Sequence, residues 1–237
     1  MSIQKGDFIK ITYTGKVTED ERVFDTTDRQ VAKDNEIFNE NRTYGPEVVI
    51  VGAGHLVPGL DEDFVGKDVG YRGSVTLPPE KAFGHRNPEL IETIPIKNFP
   101  KPPQLGATVQ LEQRFGTVVR TIGRMATVDF NRYLAGQTIS YDYEIVEKIE
   151  GTEDKVKGLL TLYLGMELPV VIEGKVLTIG IEPALTYNQS WLMAKGRIAR
   201  EIIDATEIDE VLLVERYTME ETIEEFVPEQ EGEQQEE

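Results

Sequence analysis

The chain is 237 residues long, 39% hydrophobic and 29% charged, which fits one large soluble domain or two to three small ones. Its net charge of −18, from 25 basic and 43 acidic residues, argues against nucleic acid as a partner, since phosphate binding needs a basic face. There is no cysteine, so disulfides, thiolate zinc sites and cysteine nucleophiles are excluded.

The stretch Met1-Ser2-Ile3-Gln4-Lys5-Gly6-Asp7 lacks the apolar centre of a signal peptide. No apolar run approaches the ~20 residues needed to span a bilayer. A cytoplasmic chain with no membrane partner is therefore expected. Phe8-Ile9-Lys10-Ile11-Thr12-Tyr13-Thr14-Gly15-Lys16-Val17 predicts a first strand. Alternation puts Ile9, Ile11, Tyr13 and Gly15 on one side, with Phe8, Lys10, Thr12 and Thr14 on the other. The pair Val23-Phe24 follows a polar turn and precedes Asp25-Thr26-Thr27. Residues 28–45 are polar and irregular, a surface insertion or lid with a short helix near 30–34.

Val48-Val49-Ile50-Val51 reads as a buried strand, being short, β-branched and bounded by glycines. After the tight loop Gly52-Ala53-Gly54-His55-Leu56-Val57, Pro58 opens a short helix, where its missing N–H has no intrahelical partner anyway. Leu60 and Phe64 share one face of that helix at i,i+4. Strand, loop and helix thus aim Leu56, Val57 and Leu60 at one place. Residues 69–77 alternate like another antiparallel strand, closed by Pro78-Pro79 and continued as a loop through Glu80-Lys81-Ala82-Phe83-Gly84.

At His85 the texture changes. Pro88, Pro95, Pro100, Pro102 and Pro103 predict loops and extended segments. Short strands over 108–111, 117–122 and 125–130, with turns at Arg114-Phe115-Gly116 and Gly123-Arg124, read as a small β subdomain. Residues 138–147 alternate again and complete the first sheet. A polar linker over 150–154 leads to a second α+β unit: helix or strand over 156–164, a hairpin over 170–179, and a helix over 191–205. That helix offers Leu192, Ile198, Ile202 and Ile203 as core residues, Trp191 as a packing anchor, and a last strand follows at 211–214. Residues 219–237 contain no Lys or Arg and predict an acidic disordered tail.

Gly52-x-Gly54 after a strand is not a dinucleotide loop, because Val57 stands at the third glycine position and no βαβ unit follows. His55 and His85 have no companions at metal-ligand spacing, and Asp25 has no serine–histidine partnership, so hydrolysis finds no support. What remains is the apolar set Tyr13, Phe24, Leu56, Val57, Leu60, Phe83 and Tyr141. On pattern alone these residues are core.

Five motifs, in order, change that reading: Tyr13-Thr14-Gly15; Val23-Phe24-Asp25; Gly52-Ala53-Gly54-x-x-Val57-Pro58-Gly59-Leu60; Leu77-Pro78-Pro79-Glu80-Lys81-Ala82-Phe83-Gly84; and Asn131-x-x-Leu134-Ala135-Gly136. Together they resemble the FKBP class of peptidyl-prolyl cis/trans isomerases over residues 1–149. The last motif and the β-rich insertion resemble the SlyD-like branch, and the unit after residue 150 is similar to long-type archaeal members. The resemblance implies an α+β fold: an antiparallel half-barrel sheet around a short helix over 1–85 and 131–149, a β-rich insert-in-flap chaperone domain over 86–130, and a C-terminal α+β domain over 150–218.

By the same resemblance, Tyr13, Phe24, Asp25, Leu56, Val57, Leu60, Phe83 and Tyr141 line a catalytic proline pocket, and Ile91, Ile94, Ile96 and Phe99 bind clients. Leu60 stands where eukaryotic members often carry tryptophan, Phe83 where tyrosine is usual, and Arg132 where the SlyD-like motif usually has histidine. No cofactor and no metal are implied, since the Cys/His-rich tail of bacterial SlyD is missing. The implied activity is X–Pro bond rotation in unfolded or partly folded proteins, with client binding from the insert. The alternative is a holdase or assembly factor with little isomerase activity. Three roles stay open for the C-terminal unit: packing on the isomerase domain, a homodimer contact, or a wider client surface.

Overall fold

Strict alternation along β1 (Phe8–Val17) buries Ile9, Ile11 and Tyr13 on one face, and this face organises the first unit. The computed structural model describes residues 2–40, 42–111 and 113–217. β1 pairs antiparallel with β2 (Val23–Thr26) near its end and with β3 (Glu47–Ile50) near its start. β4 (Arg72–Leu77) and β9 (Ile139–Ile149) complete the sheet in the order β2-β1-β9-β4. Between β2 and β3 runs the excursion 28–45, whose helix α1 (Arg29–Asp34) is capped by Asp28 accepting the Gln30 and Val31 N–H groups. β4 starts three residues later than the alternation predicts. A turn closed by Tyr71 N–H to Asp68 C=O occupies the gap, with Gly70 at positive φ, and the Tyr71 ring packs toward Tyr143 instead.

The short helix α2 (Pro58–Asp63) lies in the concave face of this sheet. Pro58 sits at its first position, and Leu60 and Phe64 are both completely buried. Tyr143 packs edge-on against Phe64 at 5.1 Å, while its hydroxyl donates to Asp63, so one strand residue grips both the apolar and polar sides of the helix end.

The inserted segment builds its own four-stranded antiparallel sheet from β5 (Ile91–Pro95), β6 (Thr108–Leu111), β7 (Arg114–Ile122) and β8 (Met125–Asp129), ordered β5-β8-β7-β6. Its core is Phe99, Val118, Ala126 and Val128. Arg114-Phe115-Gly116 is not a turn, as the sequence reading had it. These residues open β7 and pair with Leu111, Gln110 and Val109, so the chain reverses between Leu111 and Arg114.

The two chain crossings into the insert are tied together at one point. Asn131 Nδ2 donates to the Asn87 carbonyl at 2.9 Å, and Asn131 Oδ1 accepts the Asn87 N–H at 2.8 Å. Asp129 accepts from the Asn131 backbone and side chain and from Arg86 Nε at 2.8 Å. Gly136 N–H then reaches the Gly84 carbonyl at 2.8 Å. The Asn131 to Gly136 motif is therefore a clasp.

The second unit contains α3 (Thr152–Leu164), β10 (Val170–Glu173), β11 (Val176–Ile181), α4 (Gln189–Ala205) and β12 (Glu210–Glu215). β10 and β11 form the expected hairpin, but β12 runs parallel to β11, which requires a crossover, and α4 supplies it. α3 begins at Thr152, so the linker is shorter than the composition suggested. Trp191, Ile198 and Ile202 are buried, whereas Leu192 is 49% exposed, a correction to the sequence reading. One residue on from Trp191 is about 100° around the helix and leaves the buried face. Contacts divide the described chain into 2–40 with 44–148, and 42–43 with 149–217. The expected tail, 219–237, lies outside the described residues. Among those described, no helix is long and apolar enough to cross a membrane.

The clasp makes a prediction. Burial works against the Asp129 charge, but the Asn131 donors and the Arg86 guanidinium outweigh it and hold the carboxyl below its ordinary value. A lowered folded pKa adds stability above the unfolded value, and that stability is lost as pH falls through the folded one. Asp129→Asn should therefore lower amide protection factors in 86–131 by about tenfold at neutral pH, with α2 unaffected, as hydrogen exchange will read. Wild type should lose the same protection below about pH 4.

Candidate active site

Tyr13 on β1 and Tyr141 on β9 project from neighbouring strands to the same side of the sheet, their rings edge-to-face at 5.7 Å. Phe24 arrives from β2 and meets Tyr141 at 5.6 Å and Phe83 at 5.8 Å, both edge-on. Phe83 follows a single 3₁₀ turn, Pro79–Lys81, that ends the β4 connection. These rings converge because Gly15 has no side chain. A Cβ there would lie 2.6 Å from Phe24 Cζ and 2.8 Å from Tyr141 Cε1, so both rings occupy the space a larger residue would fill.

Leu60, completely buried, forms the floor, and Leu56 and Val57 are half-buried against it at the entrance to α2. The structure thus brings seven of the eight sequence-derived pocket residues into one apolar cluster. The eighth, Asp25, joins through Tyr13, whose hydroxyl lies 3.0 Å from Asp25 Oδ2 and 3.3 Å from Glu47 Oε2. A phenol has one proton, so it donates to one carboxylate at a time. Burial, with the Asp25 charge added, pushes the Tyr141 phenol well above its ordinary pKa.

Two residues at this site escaped the sequence reading. Glu47 opens the apolar strand β3, and its meeting with Tyr13 follows only from the β1–β3 register, which sets Ile11 opposite Glu47. Asp61, one of three acidic residues that favour the positive N-terminal end of α2, is only 8% exposed. Its carboxylate reaches back to the Gly52 N–H at 2.7 Å and the Gly54 N–H at 3.4 Å, fixing the loop that carries Leu56 and Val57. The signal for it was the pair of glycines nine and seven residues earlier, both at positive φ. His55 Nδ1 accepts the Ile50 N–H at 3.2 Å, which ties the loop back to β3.

The client-binding set fares differently. Phe99 is 8% exposed and is core of the inserted sheet, with Ile94 and Ile96 half-buried against it and Ile91 half-buried on β5. The most exposed large apolar side chains of the insert are Leu105, Phe115 and Ile122, at 71%, 65% and 56%.

The excursion 28–45 is held by Phe38 stacked on Tyr44 at 5.3 Å, with Arg29 and Lys33 over the Phe38 ring. It borders a cleft of about 770 Å³ lined by Thr12, Thr14, Arg29, Arg72 and Asp142, among others. Thr12, Thr14, Arg72 and Asp142 alternate with the pocket residues and project to the opposite face of the sheet. Arg72 there pairs with Glu144 and Asp142 with Lys16.

An antiparallel sheet wrapped on a short helix, with an aromatic cluster packed between them, defines the FKBP-like class. Comparison with known proteins agrees. Residues 1–98 match the family described as FKBP-type peptidyl-prolyl cis-trans isomerase, and residues 152–218 match one described as FKBP26_C-terminal. The chain is similar to a short-type peptidyl-prolyl cis-trans isomerase of Methanocaldococcus jannaschii, 36% identical over 146 residues, covering 60% of this chain and 92% of that one. It is also similar to the FKBP-type 16 kDa isomerase of Escherichia coli K12, at 35% over 109 residues, 43% of this chain and 73% of the relative. SlyD of Vibrio cholerae matches at 28% over 130 residues, 52% of this chain and 65% of SlyD. The chain belongs to the FKBP-type peptidyl-prolyl cis-trans isomerase family.

The contact at Gly15 is testable. Gly15→Ala should displace the Phe24 and Tyr141 rings and lower kcat/KM for an X–Pro peptide by about tenfold, since overpacking of this kind costs 1–3 kcal/mol. A protease-coupled peptide assay measures it, and unchanged activity would show that the rings tolerate a methyl group between them.

Proposed function

We propose that this enzyme accelerates rotation about X–Pro bonds in unfolded or partly folded polypeptides met in the cytoplasm, and that its insert holds those clients. The observation that carries the isomerase half is the ring set Tyr13, Phe24, Phe83 and Tyr141 closing over Leu60 with no nucleophile among them. An X–Pro amide rotates against a barrier of ~18–20 kcal/mol, arising from resonance that is strongest when the amide is planar. The planar amide is also the more charge-separated form. An apolar, water-poor pocket therefore disfavours the planar ground state relative to the twisted transition state, and no covalent step is needed.

The residues divide the work. Phe24, Leu60 and Phe83 exclude water from the bond, and Leu56 narrows the entrance. Asp25, oriented by Tyr13, sits at the polar edge and orients the substrate. Val57, just before α2, offers its backbone N–H to a substrate carbonyl. Client holding rests on the exposed Phe115 and Ile122 of β7, with the exposed Leu105 ahead of β6, in a unit whose core is filled by Phe99. Tethering a client there raises its local concentration at the pocket.

Two separable activities follow. Phe24→Ala or Asp25→Ala should cut kcat/KM in the coupled peptide assay by at least about tenfold while leaving suppression of aggregation intact. Phe115→Ser with Ile122→Ser should do the reverse. Wild-type protein that suppresses aggregation without speeding isomerisation would instead make this a holdase.

A further inference from the structure

Phe83 gives the pocket a ring without a hydroxyl, so it cannot donate a hydrogen bond. Tyr141 has a hydroxyl, and its surroundings are unusual. The side chain is 4% exposed and wedged edge-on between Tyr13 and Phe24, both of which line the pocket. No other described residue makes a hydrogen bond to its oxygen. Every fully sealed side-chain oxygen or nitrogen among the described residues has a partner, so this unpaired oxygen is not sealed and stays within reach of an incoming group. The hydroxyls of Tyr13 and Tyr143, by contrast, are both spent on carboxylates.

We propose that the Tyr141 hydroxyl is a catalytic hydrogen-bond donor, which binds a carbonyl oxygen of the X–Pro segment as the bond twists. The proposal rests on the isomerase reading above and changes the part Tyr141 plays in it, from apolar wall to donor. A hydroxyl with no protein partner can turn its proton to a new acceptor, and a substrate carbonyl entering the pocket supplies one. The donor is also dependable: burial and the Asp25 charge keep the phenol protonated far above neutral pH, so its contribution does not fade as pH rises through the working range. Tyr13 cannot serve in the same way while its proton is held by Asp25 or Glu47.

The test uses the full-length chain in the protease-coupled assay, with thermal unfolding of every variant alongside. Tyr141→Phe removes one oxygen and keeps the ring contacts. It should lower kcat/KM by about five- to tenfold at unchanged Tm, the loss expected of one hydrogen bond. Adding Phe83→Tyr to that variant puts a hydroxyl on a ring facing the same pocket and should recover at least half of the loss. Activity equal to wild type in Tyr141→Phe overturns the proposal, as does a loss that only tracks a fall in Tm or that the second hydroxyl does not recover. Wild-type protein with no isomerase activity overturns the isomerase reading, and this proposal with it. An active wild type matched by Tyr141→Phe overturns the proposal alone.

Discussion

The burial of Leu60 and Phe64 in the concave face of the sheet is the contact on which the first unit depends. Both side chains are fully removed from water, and each contributes roughly 1.5–3 kcal/mol on that account. α2 is only six residues long. Helices below ~12–15 residues are marginal alone in water, so the sheet makes this helix as much as the helix fills the sheet. Because Leu60 is also the floor of the pocket, the residue that stabilises the fold fixes the depth of the site. Tyr143 then grips Phe64 and Asp63 together, and Asp61 ties the helix start to the loop behind it.

Around that floor the chain solves a second problem, which is to keep rings close without filling the space between them. Edge-to-face contacts near 5.7 Å leave each ring supported by the next. The missing side chain at Gly15 lets two of them close over bare backbone. The carboxylates are confined to one edge, where Tyr13 meets Asp25 and Glu47. The chemistry asked of such a site is modest in bonds and demanding in environment: a twisting amide needs a place that does not reward its planar form. Aromatic and aliphatic walls provide that with no group that must gain or lose a proton.

The insert is a small sheet with its own core, joined to the isomerase sheet by two antiparallel crossings. Asp129, Asn131 and Arg86 clasp those crossings together. The clasp lets one chain carry two kinds of surface without mixing them. The isomerase site is lined by packed rings, whereas the insert leaves Leu105, Phe115 and Ile122 exposed. The second unit is built on different lines, with a parallel strand pair and two helices, and it matches a separate C-terminal family.

Local periodicity carried much of this into the sequence. Alternation marked β1 and β9, Pro58 marked the start of α2, and the i,i+4 pair Leu60 and Phe64 marked its buried face, because each depends only on residues a few positions apart. The motifs around Gly15, Gly59 and Phe83 pointed to the pocket as well. What the sequence left undecided depends on partners far along the chain. Glu47 reaches Tyr13 only through strand register. Asp61 is buried only because two loop N–H groups fold back onto it. Phe99 was as apolar as any client-binding residue, and became core because the inserted sheet needed one face covered. β12 shows the same limit: four apolar residues predict a strand, but its parallel direction was decided by α4 crossing over the sheet. An amino acid's type and spacing determine what it prefers to bury, and only the tertiary structure decides which partner buries it.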